Sequence, residues 1–319
     1  MNDLFDLEIG KIADLKDKMK IAFYAKIENL NVQEAVNKTD FLNLLLTDET
    51  GYTYAKKWDI NEAEKKAFKI GQVVYVSGYG NEYNNKIQCI IEEIRLIDET
   101  DNVDLKTFYQ SAPISEKELV NKIETYMGKI SNPNLHLITK TIINKYKADF
   151  FVFPAASRNH HAYISGLAYH VLNMLELGES IGNTYPNINM DLLYAGIILH
   201  DIGKVIELSD YLAPEYTTVG KLIGHISLTY QEIGFVAREL NIIGEEVILL
   251  QHLILSHHGL LEYGSPKRPL ILEAEVLHLI DLFDSRINMI NQELRDTDIN
   301  DFSKRVYPLD GRSFYKHNR

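Results

Sequence analysis

The apolar residues of this chain change their spacing once, near residue 100, and that switch limits the folds open to it. Ile21, Phe23, Ala25 and Ile27 alternate with Ala22, Tyr24 and Lys26, the two-residue period of a half-buried strand. Phe41–Leu46 leads through Thr47-Asp48-Glu49-Thr50-Gly51 into Tyr52–Trp58, which reads as two strands joined by a Gly-containing turn. Asn61–Lys69 is polar with helical propensity behind an Asn start signal. Gln72–Tyr79 and Lys86–Ile97 read as two more strands. From Ser115 the spacing is helical. Ser115-Glu116-Lys117-Glu118 matches a capping box, Leu119, Ile123 and Met127 share one stripe, and Leu137, Thr141, Ile142 and Tyr146 another.

Three strands, a short helix and two strands is the order of a five-stranded OB-type β-barrel, which often holds single-stranded nucleic acid on an aromatic and cationic face. The expected organisation is multidomain: this barrel over residues 1–100 as a nucleic-acid-binding domain, a linker over 101–114, and an all-α domain over 115–319. Tyr24, Tyr52, Tyr54 and Trp58 supply candidate stacking rings, with Lys26 and Lys56 near the nucleic-acid backbone. Strands are also rich in Tyr for packing reasons alone, and OB barrels bind proteins and sugars as well.

Charge and cysteine usage exclude several classes. The 319 residues carry 33 Lys+Arg against 45 Asp+Glu, a formal charge of −12. A protein that coats a duplex shows the opposite sign, because its affinity comes from neutralising phosphates. Any nucleic-acid contact must therefore be local or aided by bound cations. Two short stretches lean positive, Lys11 to Lys26 and Lys304 to Arg319, and the first reading of either alone is ordinary solubilising charge. Cys89 stands alone, which excludes a disulfide scaffold. There is no apolar run of about 18 residues and no signal-peptide pattern, so a cytoplasmic protein without a membrane span is expected.

Nine of the eleven histidines lie between His160 and His278. A helical domain has no structural need for so many imidazoles, and His is the commonest metal ligand near neutral pH. Residues 192–202 are apolar on nearly every side apart from His200 and Asp201. A helix of that kind is buried all round, and an unpaired carboxylate inside it costs several kcal/mol or goes neutral. A divalent cation resolves this; a plain His–Asp hydrogen bond is the alternative. His170, His225, the His257-His258 pair and Asp281 also interrupt apolar runs. On the last long helix Val276, Ile280, Phe283 and Ile287 read as the core stripe, with His278, Asp281 and Ser285 on a separate one.

His170, His200-Asp201 and Asp281 resemble the H…HD…D signature of the HD-superfamily metal-dependent phosphohydrolases. His225 and His257-His258 resemble the extra ligands of its two-metal branch. An OB barrel ahead of such a domain, with Ile254-Leu255-Ser256-His257-His258-Gly259, is similar to the YhaM-type 3′→5′ exoribonucleases over almost the whole chain. The resemblance implies one metal on His170, His200, Asp201 and Asp281. Asp201 would bridge to a second metal on His225, His257 and His258. Lys204 matches the lysine of the HDxxK variant and would face a phosphate oxygen. Trinuclear relatives carry a Glu where Gly166 stands, which argues against a third metal.

Imidazoles and carboxylates without thiolates suit Mn²⁺, Fe²⁺, Co²⁺ or Zn²⁺, and two divalent ions are expected, with Mn²⁺ as the expected metal. Two such ions activate water and clamp the oxygens of an in-line displacement at phosphorus. The implied activity is hydrolysis of single-stranded RNA, with single-stranded DNA also admitted, to nucleoside 5′-monophosphates. Two alternatives are kept: an HD phosphohydrolase for a free or cyclic nucleotide with a regulatory barrel, and a nucleic-acid-binding protein with a structural metal. Arg158, His160 and His161 either contact a phosphate or cap a helix. His252 and His278 read as solvated residues or neighbours of ligands, and Asp284 either orients a ligand or faces water. Enzymes of this size are often symmetric homo-oligomers.

Overall fold

The computed structural model describes residues 9–35, 38–84, 86–156, 163–212 and 214–318. Arg158, His160 and His161 lie outside the described residues. The chain divides into two compact units, Met1–Gln110 and Ser111–Arg319.

Period-2 patterning in the first unit produces five principal strands: β1 (Lys20–Glu34), β2 (Asp40–Asp48), β3 (Gly51–Lys57), β4 (Val73–Tyr83) and β5 (Lys86–Leu96). Their order is β1-β2-β3-β5-β4, and β4 pairs back onto β1 to close the barrel. β1 is long enough to serve two neighbours. Lys20–Lys26 pairs with β4, and Lys26–Glu34 pairs with β2 through a bulge at Ile27/Asn29. β3 and β5 run parallel, with Ala55 opposite Cys89. Closure leaves no long open edge. Phe23, Ala25, Ile27, Leu42, Leu44, Leu46, Val74, Val76 and Cys89 fill the interior. Gly80 is required where β4 passes the N-terminal segment, since a Cβ there would lie 2.0 Å from the Lys16 carbonyl oxygen.

The helix expected over Asn61–Lys69 is only one turn, Glu64–Ala67. Asn61 does cap it, accepting from the Ala63 and Glu64 amides. Phe68 then turns extended to bury itself in the barrel core, ending the helix. Residues 101–110, expected within a linker, pack on the barrel instead. Asp101 takes two hydrogen bonds from Arg95 and one from the Tyr24 hydroxyl, and Tyr109 donates to the Gly71 carbonyl.

The second unit is built from α1 (Glu116–Gly128), α2 (Pro133–Lys145), α3 (Gly166–Thr184), α4 (Met190–Leu199), α5 (His225–Glu239), α6 (Glu245–Ser256) and α7 (Leu272–Arg295), with shorter turns between them. Ser115 caps α1 by accepting from the Glu118 amide. Every α4 residue from Leu192 to Leu199 is buried, and α4 packs against α2, α3, α6 and α7. It is the axis of the domain, as its all-round apolar sequence requires.

Two expected stripes are corrected. In α2 Leu137 is exposed, and Leu135, Ile138, Ile142 and Ile143 face the core. In α7 Phe283 and Ile287 are 54% and 41% exposed, while Ala274, Leu277 and Ile280 are buried. Both helices carry apolar residues on two faces, and packing selects one of them. The tail also departs from an all-α reading: Asp301–Phe302 pairs antiparallel with Tyr315–Lys316. Among the described residues, no helix is long and apolar enough to cross a membrane.

Candidate metal centre

The polar residues that interrupt the apolar runs of the helical unit meet in one place. α3 contributes His170, and the C-terminal end of α4 contributes His200 with Asp201 just beyond it. His225 opens α5, His257 and His258 follow α6, and Asp281 lies within α7. Ligand atoms of His170, His200 and Asp201 lie within 4.8 Å of one another, and so do those of His225, His257 and His258. Asp201 joins the two groups. Its Oδ2 is 3.2 Å from His200 Nε2, and its Oδ1 is 3.4 Å from His225 Nε2 and 3.7 Å from His257 Nε2. Asp281 Oδ1 stands 3.3 Å from His170 Nε2.

Every imidazole in the cluster is held through Nδ1. His200 bonds the Ile197 carbonyl, His257 that of Ile254, and His258 that of Tyr263. His170 bonds Asp284 at 2.6 Å, and His225 lies 3.2 Å from Glu207. Such partners set the tautomer and leave Nε2 as the ligating atom. His200, His225 and His257 Nε2, together with Asp201 Oδ1, are buried without a hydrogen bond. Buried polar atoms are nearly always satisfied, so three orphaned nitrogens around an orphaned carboxylate oxygen fit a cation. The cluster is a divalent-metal site by its donor chemistry.

The electrostatics agree. Burial opposes the Asp201 charge, but Lys204 and His200 outweigh it and hold the carboxyl well below its ordinary range. Lys204 Nζ lies 2.6 Å from Asp201 Oδ2. Burial also opposes charge on Asp281, and His170 reverses that. His257 is pushed below the usual imidazole value by burial and by His258, so it is neutral and able to ligate. His170 is the exception. Burial lowers its pKa, yet Asp281 on Nε2 and Asp284 on Nδ1 raise it to about 10 and so favour its charged form.

Asp284 therefore orients a histidine, and Asn173 in turn donates to Asp284. Glu207 was not singled out from sequence. It is 8% exposed and receives the His225 amide as well as facing its ring. Its only signal is an acid among apolar neighbours in Val205-Ile206-Glu207-Leu208. His278 bonds the His257 carbonyl, and His252 accepts from the Leu270 amide. A cavity of about 390 Å³ opens onto Asp201, Lys204, His225, His258 and Asp281.

The aromatic candidates of the barrel divide into two groups. Tyr52 and Tyr54 are 63% and 50% exposed, and Lys56 lies over the rings of Phe41, Trp58 and Tyr83 at 5.6–5.9 Å. Tyr24 and Lys26 lie on β1. Tyr24 is engaged with Asp101 and Tyr75, and Lys26 with Glu28 and the Tyr109 ring.

Comparison with known families bears on both units. Residues 26–97 match the OB-fold nucleic acid binding domain and residues 167–286 the HD domain. A protein of Listeria monocytogenes serotype 4b (strain CLIP80459) named 3'-5' exoribonuclease YhaM is 44% identical over 312 residues, covering 98% of this chain and 97% of that one. One of Geobacillus sp. (strain WCH70) with the same name is 45% identical over 309 residues, covering 97% and 93%. With identity at this level along nearly the full length of both partners, the chain belongs to the YhaM family of 3'-5' exoribonucleases.

Proposed function

We propose that this chain is a cytoplasmic, metal-dependent 3′→5′ exoribonuclease that removes nucleoside 5′-monophosphates from single-stranded RNA, with single-stranded DNA as a second candidate substrate. The observation that carries the reading is the pair of ligand clusters joined by Asp201 at the wall of an open cavity. A structural site is closed by its protein ligands, whereas a catalytic one keeps a face for substrate.

In this reading His170, His200, Asp201 and Asp281 hold one ion, and Asp201, His225, His257 and His258 hold a second, both Mn²⁺. Bound there, divalent ions activate water and offset the charge of a phosphodiester. The protein's own part is placement. Main-chain carbonyls and two carboxylates fix five imidazoles, and Lys204 keeps Asp201 ionised while adding positive charge to the cavity wall. The local cations also answer the −12 of the whole chain, which would otherwise repel RNA. Tyr52, Tyr54, Lys56 and Trp58 hold the strand upstream by stacking and charge, in the manner of OB barrels.

The test is 5′-labelled single-stranded RNA incubated with Mn²⁺. Labelled product should shorten stepwise from the 3′ end, and a 3′-phosphorylated strand should resist. Intact RNA beside rapid turnover of free nucleotides would replace this reading with a nucleotide phosphohydrolase. Binding without hydrolysis in Mn²⁺, Co²⁺, Fe²⁺ and Zn²⁺ would make the metal structural.

A further inference from the structure

The cavity beside the metal cluster has two chemistries. Its lining is ionic at Asp201, Lys204, His225 and Asp281, and aromatic or apolar at Tyr216, Tyr263 and Leu282. These tyrosines are 46% and 56% exposed. Among the described residues, neither ring meets another aromatic ring and neither hydroxyl makes a hydrogen bond. Both tyrosines line a cavity of about 390 Å³, a size ordinary for small organic ligands, and among the described residues no packing partner accounts for their rings.

Their backbones are nonetheless fixed. Tyr216 forms an antiparallel bridge with Leu208, close after Lys204 and Glu207. The Tyr263 amide donates to the Leu260 carbonyl at 3.1 Å, and its own carbonyl accepts from His258 Nδ1 at 2.8 Å. The backbone of each tyrosine is thus tied to a segment that carries ionic lining residues, Tyr216 through Leu208 and Tyr263 through His258.

Resting on the proposed exoribonuclease activity, we infer that Tyr216 and Tyr263 form a stacking subsite for the base of the 3′-terminal nucleotide. Release of a nucleoside 5′-monophosphate forms a bond from water oxygen to phosphorus and breaks the bond between phosphorus and the upstream 3′ oxygen, which leaves as a 3′ hydroxyl on taking up a proton from that water. The phosphate therefore stays with the terminal nucleoside, and phosphate and base must be accommodated together. A cavity lined by both ionic and aromatic side chains matches those two ends. Stacking accepts any base, because every base has a π face, as suits an enzyme that must remove each nucleotide in turn.

Two measurements test this. Tyr216→Ala and Tyr263→Ala should each lower kcat/KM on a ten-nucleotide RNA by about ten-fold, with the phenylalanine variants within about two-fold of wild type. Alanine at 263 keeps the carbonyl that holds His258; unchanged metal content and melting temperature verify this. An abasic 3′-terminal ribonucleotide should cost the wild type about the same factor and the alanine variants nothing further. Titration in Mn²⁺ should show adenosine 5′-monophosphate binding about ten-fold tighter than ribose 5-phosphate, a difference abolished in Tyr216→Ala/Tyr263→Ala. Equal losses on normal and abasic ends, or equal affinities for the two phosphates, would overturn the subsite. If the wild type leaves RNA intact, the exoribonuclease reading fails, while the titration still decides whether these rings bind a base.

Discussion

The interiors of the two units differ in what they are willing to bury. In the barrel the fully covered polar residues among those described are uncharged, Thr53 and Ser77. Its carboxylate Asp101 is clamped by Arg95 and Tyr24. The helical unit buries His170, His200, Asp201, Lys204, Glu207 and His257 within one patch. Removing an ionised group from water costs several kcal/mol unless it is paired. The concentration of that cost in one patch is the reason the proposed chemistry is assigned there, with stability and surface recognition proposed for the barrel.

The largest expected effect tests that division directly. Asp201→Ala should lower RNA turnover by about 10³-fold or more, while RNA affinity measured on the barrel surface stays within about two-fold. A wild-type rate would end the role given to Asp201. Chelation should come next. It should abolish activity, which Mn²⁺ addition restores, and destabilise only the helical unit, by about 2.7 kcal/mol for each ion that had stood at about 100 times its Kd. Calorimetry in which both units shift equally would break the contrast.

Glu207→Gln sharpens it further. Loss of the carboxylate behind His225 should raise the Mn²⁺ needed for half-maximal activity by about ten- to a hundred-fold; an unchanged requirement would show that His225 is held without it. On the barrel, Trp58→Ala should weaken RNA binding by about five-fold or more and leave cleavage of a dinucleotide alone. Equal losses on both substrates would deny the barrel a binding role.

The smallest effect is in pH. The barrel unit has no histidine, so its melting should be flat from about pH 5.5 to 8.5. In metal-free protein His170, raised to about 10, stabilises the helical unit fully below about pH 6.5 and loses this as pH rises toward 10. His257 and His258 are lowered, chiefly by burial, and cost stability as pH falls below about 6.5. The helical unit should therefore melt highest near neutrality. A flat profile for that unit would mean the cluster is solvated.

Legibility from sequence followed the kind of signal available. Strand alternation placed β1 to β5 well because one face is buried and the other is wet. Asn61 and Ser115 marked helix starts because capping is local. The phase of α2 and α7 was misjudged at Leu137, Phe283 and Ile287, since an apolar residue does not announce which of two faces will find a partner. Phe68 ended a helix early through a contact with a barrel core that lies far from it in sequence. Glu207 passed unremarked because its partner, His225, is eighteen residues away.

By itself, then, the order of residues determined the two periods, the all-round apolar α4 and the types of donor available, because periodicity and burial cost are properties of neighbouring side chains. Only the tertiary structure decided that those donors converge through Asp201, that Asp284 and Glu207 stand behind His170 and His225, and that two tyrosines share their cavity. Such distances belong to helices packed from remote parts of the chain, and no local rule contains them.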